Sequence, residues 1–279
     1  MVGAFLLLRF VRKERTMIFD THAHYLDHRF DEDRDELILS LNAEGIKNVV
    51  EVSADRDDFD SIINITDKYD FFYGSLGVHP SVVDVLTEDD MNRIKELSKN
   101  DKIVAIGEIG LDYHFEDDPE PDVQKKWFIR QLLLARELNM PVIIHSRDAA
   151  KDTMDILKEY HRGTTDKPLD GFAGGVIHCF SYSPEMALEF VKMGYYIGLD
   201  GPVTFKNGKK AKEVAKVVPI DKLVVETDCP YMAPEPLRGS RNYSGNLKYI
   251  VEVISQIKEV SYEEMEEILY NNSKAMYNL

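Results

Sequence analysis

The amino-acid sequence predicts an α/β protein that folds as a single (β/α)8 barrel, also called a TIM barrel. Eight short apolar runs of strand character alternate with segments of helical periodicity. The chain has 279 residues, which suits one barrel of about 250 residues. A Gly-rich phosphate loop usually follows the first strand of the alternative doubly wound fold, and a His-x-His sequence stands there instead.

The predicted strands are runs of four to eight residues rich in aliphatic and aromatic side chains. In chain order they span residues 17–20, 46–52, 71–78, 102–108, 141–145, 176–179, 195–199 and 222–226. The carboxyl ends of barrel strands all face one mouth, where active sites lie. Polar residues that end these runs are therefore expected to line one cavity.

The predicted helices repeat apolar residues at a spacing of three and four. They span residues 31–43, 57–69, 87–97, 121–138, 148–160, 184–193, 208–217, 247–258 and 262–270. Thr87, with Asp90 three residues on, is expected to cap the third helix, and Ser261 the last. Residues 161–175 are rich in Gly, Thr and Asp and are predicted to form a loop.

Composition excludes several classes of protein. Hydrophobic residues make up 44% of the chain, which argues against disorder. Two cysteines, interpreted as small packing residues, exclude a disulfide scaffold and favour a reducing compartment, so a cytoplasmic location is expected. The net charge of −16, from 34 Lys and Arg against 50 Asp and Glu, opposes non-specific coating of duplex nucleic acid. Bound divalent cations would invert that potential locally.

Residues 1–16 are interpreted as an N-terminal extension outside the fold, which would occupy residues 17–279. The apolar stretch at 4–10 is too short to cross a bilayer, and the segment lacks the basic start and cleavage site of a secretory signal. An anchoring or targeting helix is the alternative interpretation. We expect no membrane association, and the sequence indicates no obligate protein partner.

Histidine and carboxylate residues collect at the predicted strand ends. His22 and His24, at the end of the first strand, are two residues apart and so share one face. The other candidates end or follow strands four, five, six and eight: Glu108, His145, His178 and Asp228. Imidazole and carboxylate suit borderline to hard divalent ions. The six residues are therefore predicted metal ligands.

Other histidines are divided by their position. His79 ends the third strand and is expected beside the ligands as a substrate-binding residue. His28, His114 and His161 lie in polar segments and are predicted to face solvent, although His114 could overhang the mouth.

Two carboxylates are the candidate catalytic residues. The two oxygens of Glu108 could bridge two ions, and a water between the ions would lose a proton near neutral pH and become the nucleophile. Asp228 could both bind one ion and take the proton of that nucleophile. Two ions in this arrangement suit phosphoryl chemistry.

Basic and aromatic residues flank the predicted ligands. Arg147 and Arg241 are candidate substrate-binding residues, because a guanidinium binds phosphate oxygens bidentately. Lysines and an arginine nearby fit either this role or a solvated face: Lys206, Lys209, Lys210 and Arg238. Four aromatic residues could stack on bases or pack the loops: Tyr113, Phe115, Tyr182 and Tyr231.

Six sequence words, spread over almost all of the chain after Met17, carry a family resemblance. They are residues 19–24 (FDTHAH), 77–80 (GVHP), 107–113 (GEIGLDY), 141–149 (PVIIHSRDA), 177–181 (IHCFS) and 226–231 (ETDCPY). In these words and their order the chain resembles the TatD family of metal-dependent deoxyribonucleases, within the amidohydrolase-like barrel superfamily. Related phosphotriesterases and lactonases carry a carbamylated lysine at the end of strand four, where this chain has Glu108.

The resemblance implies a two-metal site and a substrate. His22, His24, Glu108 and Asp228 would hold one ion, and Glu108, His145 and His178 the other. It also implies hydrolysis of DNA phosphodiester bonds, typically from the 3′ end of single strands. Magnesium is the expected cofactor, with manganese or zinc as alternatives, and DNA is the expected partner.

Two features depart from that expectation. The family usually reads Leu-Arg-Gly-Lys-Arg-Asn-Glu-Pro after the last ligand, and residues 237–244 here read Leu-Arg-Gly-Ser-Arg-Asn-Tyr-Ser. The acidic run 116–120 would repel a nucleic acid and favour short or single-stranded ends. Two alternatives stay open: a hydrolase of small esters, amides or phosphoesters on the same site, and a non-catalytic metal-bound scaffold.

Overall fold

The structure is a computed structural model that describes residues 17–163 and 167–279. Two predictions concern residues outside these ranges. They are the interpretation of residues 1–16 as an extension and the part of the predicted loop at residues 164–166.

Eight parallel strands in the described residues form one sheet in the order of the chain. Their bounds are β1 Ile18–Ala23, β2 Ile46–Val52, β3 Phe72–Leu76, β4 Ile103–Asp112, β5 Val142–Arg147, β6 Gly175–Ile177, β7 Tyr196–Leu199 and β8 Leu223–Val225. Hydrogen bonds join the first strand to the segment after the last, from His24 N to Cys229 O at 2.9 Å and from Asp228 N to His22 O at 3.0 Å. The predicted barrel class is thus confirmed, with the last seam closed just beyond β8.

Helices connect the strands and cover the barrel. Over residues 17–163 and 167–279 they are α1 Arg34–Leu41, α2 Phe59–Lys68, α3 Glu88–Leu97, α4 Pro121–Leu138, α5 Ala150–Ile156, α6 Pro184–Lys192, α7 Lys209–Val217, α8 Leu247–Lys258 and α9 Tyr262–Tyr277. The predicted caps are present: Thr87 and Asp90 form a capping box, and Ser261 accepts a hydrogen bond from the amide of Glu264. No helix in the described ranges is both long and apolar enough to span a bilayer.

Several elements end later than predicted: β1 at Ala23, β5 at Arg147 and, by the largest margins, β4 and α9. Strand β4 continues past Glu108 to Asp112, with every residue buried. Gly110 permits this, since a Cβ there would lie 1.9 Å from the carbonyl oxygen of His145. Helix α9 extends to Tyr277 because its buried polar side chains are satisfied: Asn272 donates to the carbonyl of Leu223 at 2.8 Å, and the Tyr277 hydroxyl donates to that of Thr21 at 2.7 Å.

The prediction that His161 faces solvent is wrong. Helix α5 continues as a π-helical turn over Leu157–Arg162, which turns the His161 side chain into the core. There it packs edge-on against Phe172 and hydrogen bonds to the Tyr195 hydroxyl. His28 does face solvent, with its side chain 84% exposed.

The interior of the barrel is apolar at its lower half. One cluster of buried residues draws on β1, β2, β4, β5, β6, β8 and the end of α9: Phe19, Val50, Val52, Val104, Ala105, Ile143, Val176, Val224, Met276 and Tyr277. Branched aliphatic residues of this kind fill the interior of such barrels. Nearer the carboxyl ends of the strands, histidines and carboxylates take the place of these apolar residues.

Candidate metal centre

The structure brings all six predicted ligands together at the carboxyl ends of the strands. His22, Glu108 and His145 lie in β1, β4 and β5, while His24, His178 and Asp228 directly follow β1, β6 and β8. They form two neighbouring groups, one of three residues around His22 and His24 and one that includes Glu108.

The first group comprises His22, His24 and Asp228. The Nε2 atoms of the two histidines lie 3.0 Å apart. Oδ1 of Asp228 lies 3.4 Å from Nε2 of His24 and 3.8 Å from Nε2 of His22. Nδ1 of His24 is 3.0 Å from the carbonyl oxygen of Val52, which fixes the ring with Nε2 toward the group.

The second group comprises Glu108, His145 and His178. Oε1 of Glu108 lies 2.8 Å from Nδ1 of His145 and 2.7 Å from Nε2 of His178. The two ring nitrogens are 3.3 Å apart. The opposite ring edges face further carboxylates, since Nε2 of His145 is 3.0 Å from Oδ2 of Asp112 and Nδ1 of His178 is 3.6 Å from Oε1 of Glu226.

Glu108 divides its two oxygens between the groups. Oε1 faces the second group, whereas Oε2 lies 3.4 Å from Nε2 of His22 and 3.9 Å from Nε2 of His24. The side chain is 5% exposed. The Glu108 carboxylate therefore presents one oxygen toward each group.

The donor atoms fit divalent ions. Atoms that each lie about 2.1 Å from one ion are about 3.0 Å apart at right angles and about 3.4 Å apart at the tetrahedral angle. The nitrogen pair of His22 and His24 lies 3.0 Å apart, and that of His145 and His178 lies 3.3 Å apart. Imidazole and carboxylate donors of this kind suit Zn²⁺, Mn²⁺ and Mg²⁺.

The electrostatics of the centre favour positive charge between the carboxylates. Burial raises the pKa of Glu108, but the surrounding histidines, His178 first, hold it well below its usual range. Burial alone would lower the pKa of His24, yet Asp228 and Glu108 raise it to about 9. Burial and the neighbouring His178 lower the pKa of His22, which keeps that imidazole neutral and able to donate a lone pair. A field that raises the pKa of an imidazole also stabilises a divalent cation.

His79 lies beside the second group. Its ring is 4.3 Å from that of His145, and its Nε2 is 3.7 Å from Oε1 of Glu108. Nδ1 is held by the Ser81 hydroxyl at 2.7 Å. Burial, together with His145, lowers the pKa of His79 to about 3, so this imidazole is neutral. With Asp112 and His145 it forms another group of possible ligand atoms.

Three buried carboxylates near the centre were not predicted. Asp112 faces His145, and Glu226 faces His178 while accepting a hydrogen bond from the amide of Cys179. Glu51 accepts from the amides of Tyr25 and Leu26, at 2.9 and 2.7 Å, and burial raises its pKa to about 7. A carboxylate within the apolar run 49–52 was the available signal for Glu51.

One cavity of about 720 Å³ opens above the two groups. His79, Arg147, Phe115 and Tyr231 line it together with all of the predicted ligands except the fully buried His22. Arg241 lies elsewhere: its guanidinium binds Asp33, with 2.8 Å from Nη1 to Oδ1, and donates to the carbonyl of Arg29. Its predicted role in substrate binding would require breaking that ion pair.

The cysteines do not provide a nucleophile. Cys229 is fully buried, and burial raises the pKa of its thiol. Cys179 is half-buried at the cavity wall, with Sγ 3.1 Å from Oδ2 of Asp200. Burial and the nearby Asp200 carboxylate raise the pKa of the Cys179 thiol well above its usual value.

The chain is similar to known proteins of one family over almost its whole length. The family model described as TatD-related DNase matches residues 19–278. YabD of Bacillus subtilis (strain 168), named an uncharacterized metal-dependent hydrolase, is 44% identical over 94% of this chain and 100% of its own length. TATDN3 of Mus musculus, whose name proposes a deoxyribonuclease, is 31% identical over 93% and 88%. The crystal structure of YjjV, a TatD homolog from Escherichia coli K12, superposes with a TM-score of 0.84 at 28% identity, covering 94% and 98%.

Proposed function

Because the chain belongs to the family of TatD-related DNases and is a metal-dependent hydrolase, we propose that it hydrolyses phosphodiester bonds of DNA. The preferred substrate is single-stranded, and the enzyme works as an exonuclease from the 3′ end. The observation that carries the proposal is the carboxylate of Glu108, whose two oxygens face two separate clusters of histidine and carboxylate.

In this proposal two divalent ions bind at one centre. His22, His24, Glu108 and Asp228 hold the first ion, and Glu108, His145 and His178 hold the second. When bound, such ions supply Lewis acidity toward the phosphate and a more acidic water. Magnesium is the expected ion, with manganese or zinc as alternatives.

Glu108 and Asp228 are the proposed catalytic residues, with different tasks. The side chain of Glu108 is 5% exposed, and its task is to hold the two ligand groups at a fixed distance from each other. That of Asp228 is 18% exposed and lines the cavity, so a water can approach its carboxylate. Burial would raise the pKa of Asp228, but His24 and the other histidines lower it below its usual value. The carboxylate is therefore ionised, and it accepts the proton of the attacking water.

Arg147 and His79 bind the phosphate in this proposal. Both side chains line the cavity, and the Arg147 guanidinium can pair with phosphate oxygens. The neutral ring of His79 can orient an oxygen without adding charge. Arg241 remains a candidate substrate-binding residue only for a DNA strand long enough to reach the ion pair between Arg241 and Asp33.

The cavity and the charge of the chain favour a strand end over a duplex. A volume of about 720 Å³ is within the range of pockets that enclose small ligands. A net charge of −16 provides no general attraction for a polyanion. The free thiols of Cys179 and Cys229 suit a reducing compartment, so we place the activity in the cytoplasm.

The same cavity volume supports one other candidate function, the hydrolysis of a small ester, amide or phosphoester. The two are distinguished by substrate size. A small phosphodiester turned over without any cleavage of oligonucleotides would favour this alternative.

The test is cleavage of single-stranded DNA, labelled at one end, by metal-stripped protein with Mg²⁺, Mn²⁺ or Zn²⁺ added back. We expect a ladder that shortens from the 3′ end, requires metal and is absent with Asp228→Asn. Matched strands labelled at either end report the polarity. No cleavage with any metal, despite measured metal binding, would overturn the proposal.

A further inference from the structure

Two aromatic side chains differ from all the others in the described residues. Among Phe, Tyr and Trp at 17–163 and 167–279, only Phe115 and Tyr231 are exposed, at 55% and 47%. Both line the cavity above the candidate metal centre. Exposed aromatic rings are therefore confined to the place where a substrate would enter.

The two other aromatic residues that flank the ligands are held by the loops. The Tyr113 hydroxyl donates to Asp152 at 3.0 Å. The Tyr182 hydroxyl lies 3.0 Å from the Ser146 hydroxyl and accepts from the amide of Ala149 at 3.2 Å. These contacts explain both residues as loop packing. Phe115 has no hydroxyl group to be held in this way, and the Tyr231 hydroxyl donates to Asp27 at 3.3 Å while its ring stays exposed.

Each exposed ring carries an arginine on one face. The guanidinium carbon of Arg147 is 4.9 Å from the ring centre of Phe115, and that of Arg29 is 4.0 Å from the ring centre of Tyr231. An arginine beside an aromatic ring presents a charge for a phosphate next to a surface for a base. Arg147 lines the cavity and supplies this charge there. Arg29 donates to Asp27 at 3.0 and 2.9 Å, and it supports the Tyr231 ring from outside the cavity lining.

The barrel places the two pairs on opposite sides of the mouth. Phe115 follows β4 and Arg147 ends β5, whereas Tyr231 follows β8 and Arg29 follows β1. Strands four and eight are diametrically opposed in an eight-stranded barrel whose strands follow the order of the chain. The shared carboxylate of Glu108 and the ligands around it lie between the two rings.

We infer that Phe115 and Tyr231 are base-stacking residues that hold the nucleobases on the two sides of the scissile phosphate. The inference rests on the proposed function and extends it, because it makes the minimal substrate a dinucleotide unit with both bases present. Stacking is tolerant of sequence, since every base has an aromatic face. The site therefore binds single-stranded ends of any sequence.

The test measures binding by fluorescence anisotropy, using full-length protein in the Asp228→Asn background so that strands are not consumed. The probes are labelled single strands of equal length, either complete or with one abasic residue at the last or the penultimate 3′ position. We expect an abasic residue at either position to weaken binding by roughly 5- to 150-fold, the range for loss of one stacked base. Phe115→Ala should abolish the sensitivity to one position and Tyr231→Ala the sensitivity to the other.

Conservative and distant variants serve as controls. Phe115→Trp and Tyr231→Phe keep the rings and should keep the preference for complete strands. Leu39→Ala removes an exposed apolar side chain on α1, 69% exposed, and should change nothing.

The outcomes separate the inference from the function it extends. The stacking inference would be overturned by equal affinity for complete and abasic strands, or by alanine variants that weaken the binding of both equally. Strand cleavage by the wild-type enzyme would still uphold the proposed function in either case. A wild-type enzyme without cleavage, together with a base preference that depends on both rings, would overturn the function alone. Absence of cleavage by the wild-type enzyme, together with absence of strand binding, would overturn both.

Discussion

Replacing Asp112 by Asn tests whether a carboxylate behind the centre determines the affinity for one ion. Oδ2 of Asp112 lies 3.0 Å from Nε2 of His145, while Nδ1 of the same ring faces Glu108 at 2.8 Å. Asp112 is 2% exposed, and Asn preserves its shape while removing its charge. The substitution should loosen the orientation of His145 and make its imidazole a weaker donor.

The expected magnitude follows from this single contact. A hydrogen bond to a charged group contributes about 1.5–3 kcal/mol. Loss of the carboxylate partner of a metal-binding histidine typically costs about 10- to 100-fold in metal affinity, which is about 1.4–2.8 kcal/mol. The two ranges overlap. We therefore predict that the ion held by Glu108, His145 and His178 binds about 10- to 100-fold more weakly, with little change for the ion held by His22, His24 and Asp228.

Isothermal titration of metal-stripped protein, with a competing chelator, resolves the two affinities. Asp148→Asn is the matched control, because Asp148 makes a similar contact of 2.8 Å with His114, which is not a predicted ligand, and its side chain is 63% exposed. Unchanged affinities in Asp112→Asn would refute the assigned role of this carboxylate. Equal weakening of both ions would refute its assignment to one group.

Three further predictions concern other parts of the molecule. Asp228→Asn should lower the rate of strand cleavage by about 10²- to 10⁴-fold with a nearly unchanged thermal midpoint, and a wild-type rate would exclude Asp228 as the base. Burial lowers the pKa of His161 from 6.5 to about 3, so the unfolded chain takes up a proton that the folded protein does not. That contribution to the free energy of unfolding falls by about 1.4 kcal/mol per pH unit as the pH drops from about 6.5 toward 3. In urea titrations over this pH range, the free energy of unfolding should fall less steeply for His161→Gln than for the wild-type protein. The control His28→Gln, at an exposed histidine, should show the wild-type pH dependence. Removing the ions with a chelator should lower the thermal midpoint of unfolding in calorimetry. An ion present at 100 times its Kd adds about 2.7 kcal/mol to the free energy of unfolding. A midpoint independent of metal content would argue against a metal site in the folded protein.

The barrel could be predicted because each strand ends in a local signal. Apolar runs and turn residues delimit the strands, and the order of the strands in the sheet follows the chain. The end of α9 was missed because Asn272 and Ser273 look like a helix terminus in sequence, whereas both are buried and hydrogen bonded to carbonyl groups. Asn272 donates to Leu223, 49 residues earlier in the chain, and Ser273 donates to Leu269 within the helix. Hydrophobic periodicity reports neither contact.

The six predicted ligands converge because their positions at strand ends fix their location in a barrel. Three buried carboxylates were not predicted from the sequence: Asp112, Glu226 and Glu51. Each would affect the centre through a neighbouring residue, and only three-dimensional contacts distinguish these carboxylates from other acidic residues. His161 was placed in solvent because its neighbours are polar in sequence, whereas a π-helical turn buries it. Arg241 was selected for its residue type, and its pairing with Asp33 depends on a loop 208 residues away in the chain.

The central claim is that one centre holds two divalent ions through a shared carboxylate. The number of ions per chain tests it most directly, measured by elemental analysis after equilibrium dialysis against Mn²⁺ or Zn²⁺. We predict two ions for the wild-type protein, one for His24→Ala, one for His178→Ala and neither bound tightly in Glu108→Ala. A single ion in the wild-type protein, or two ions retained in Glu108→Ala, would contradict the shared centre.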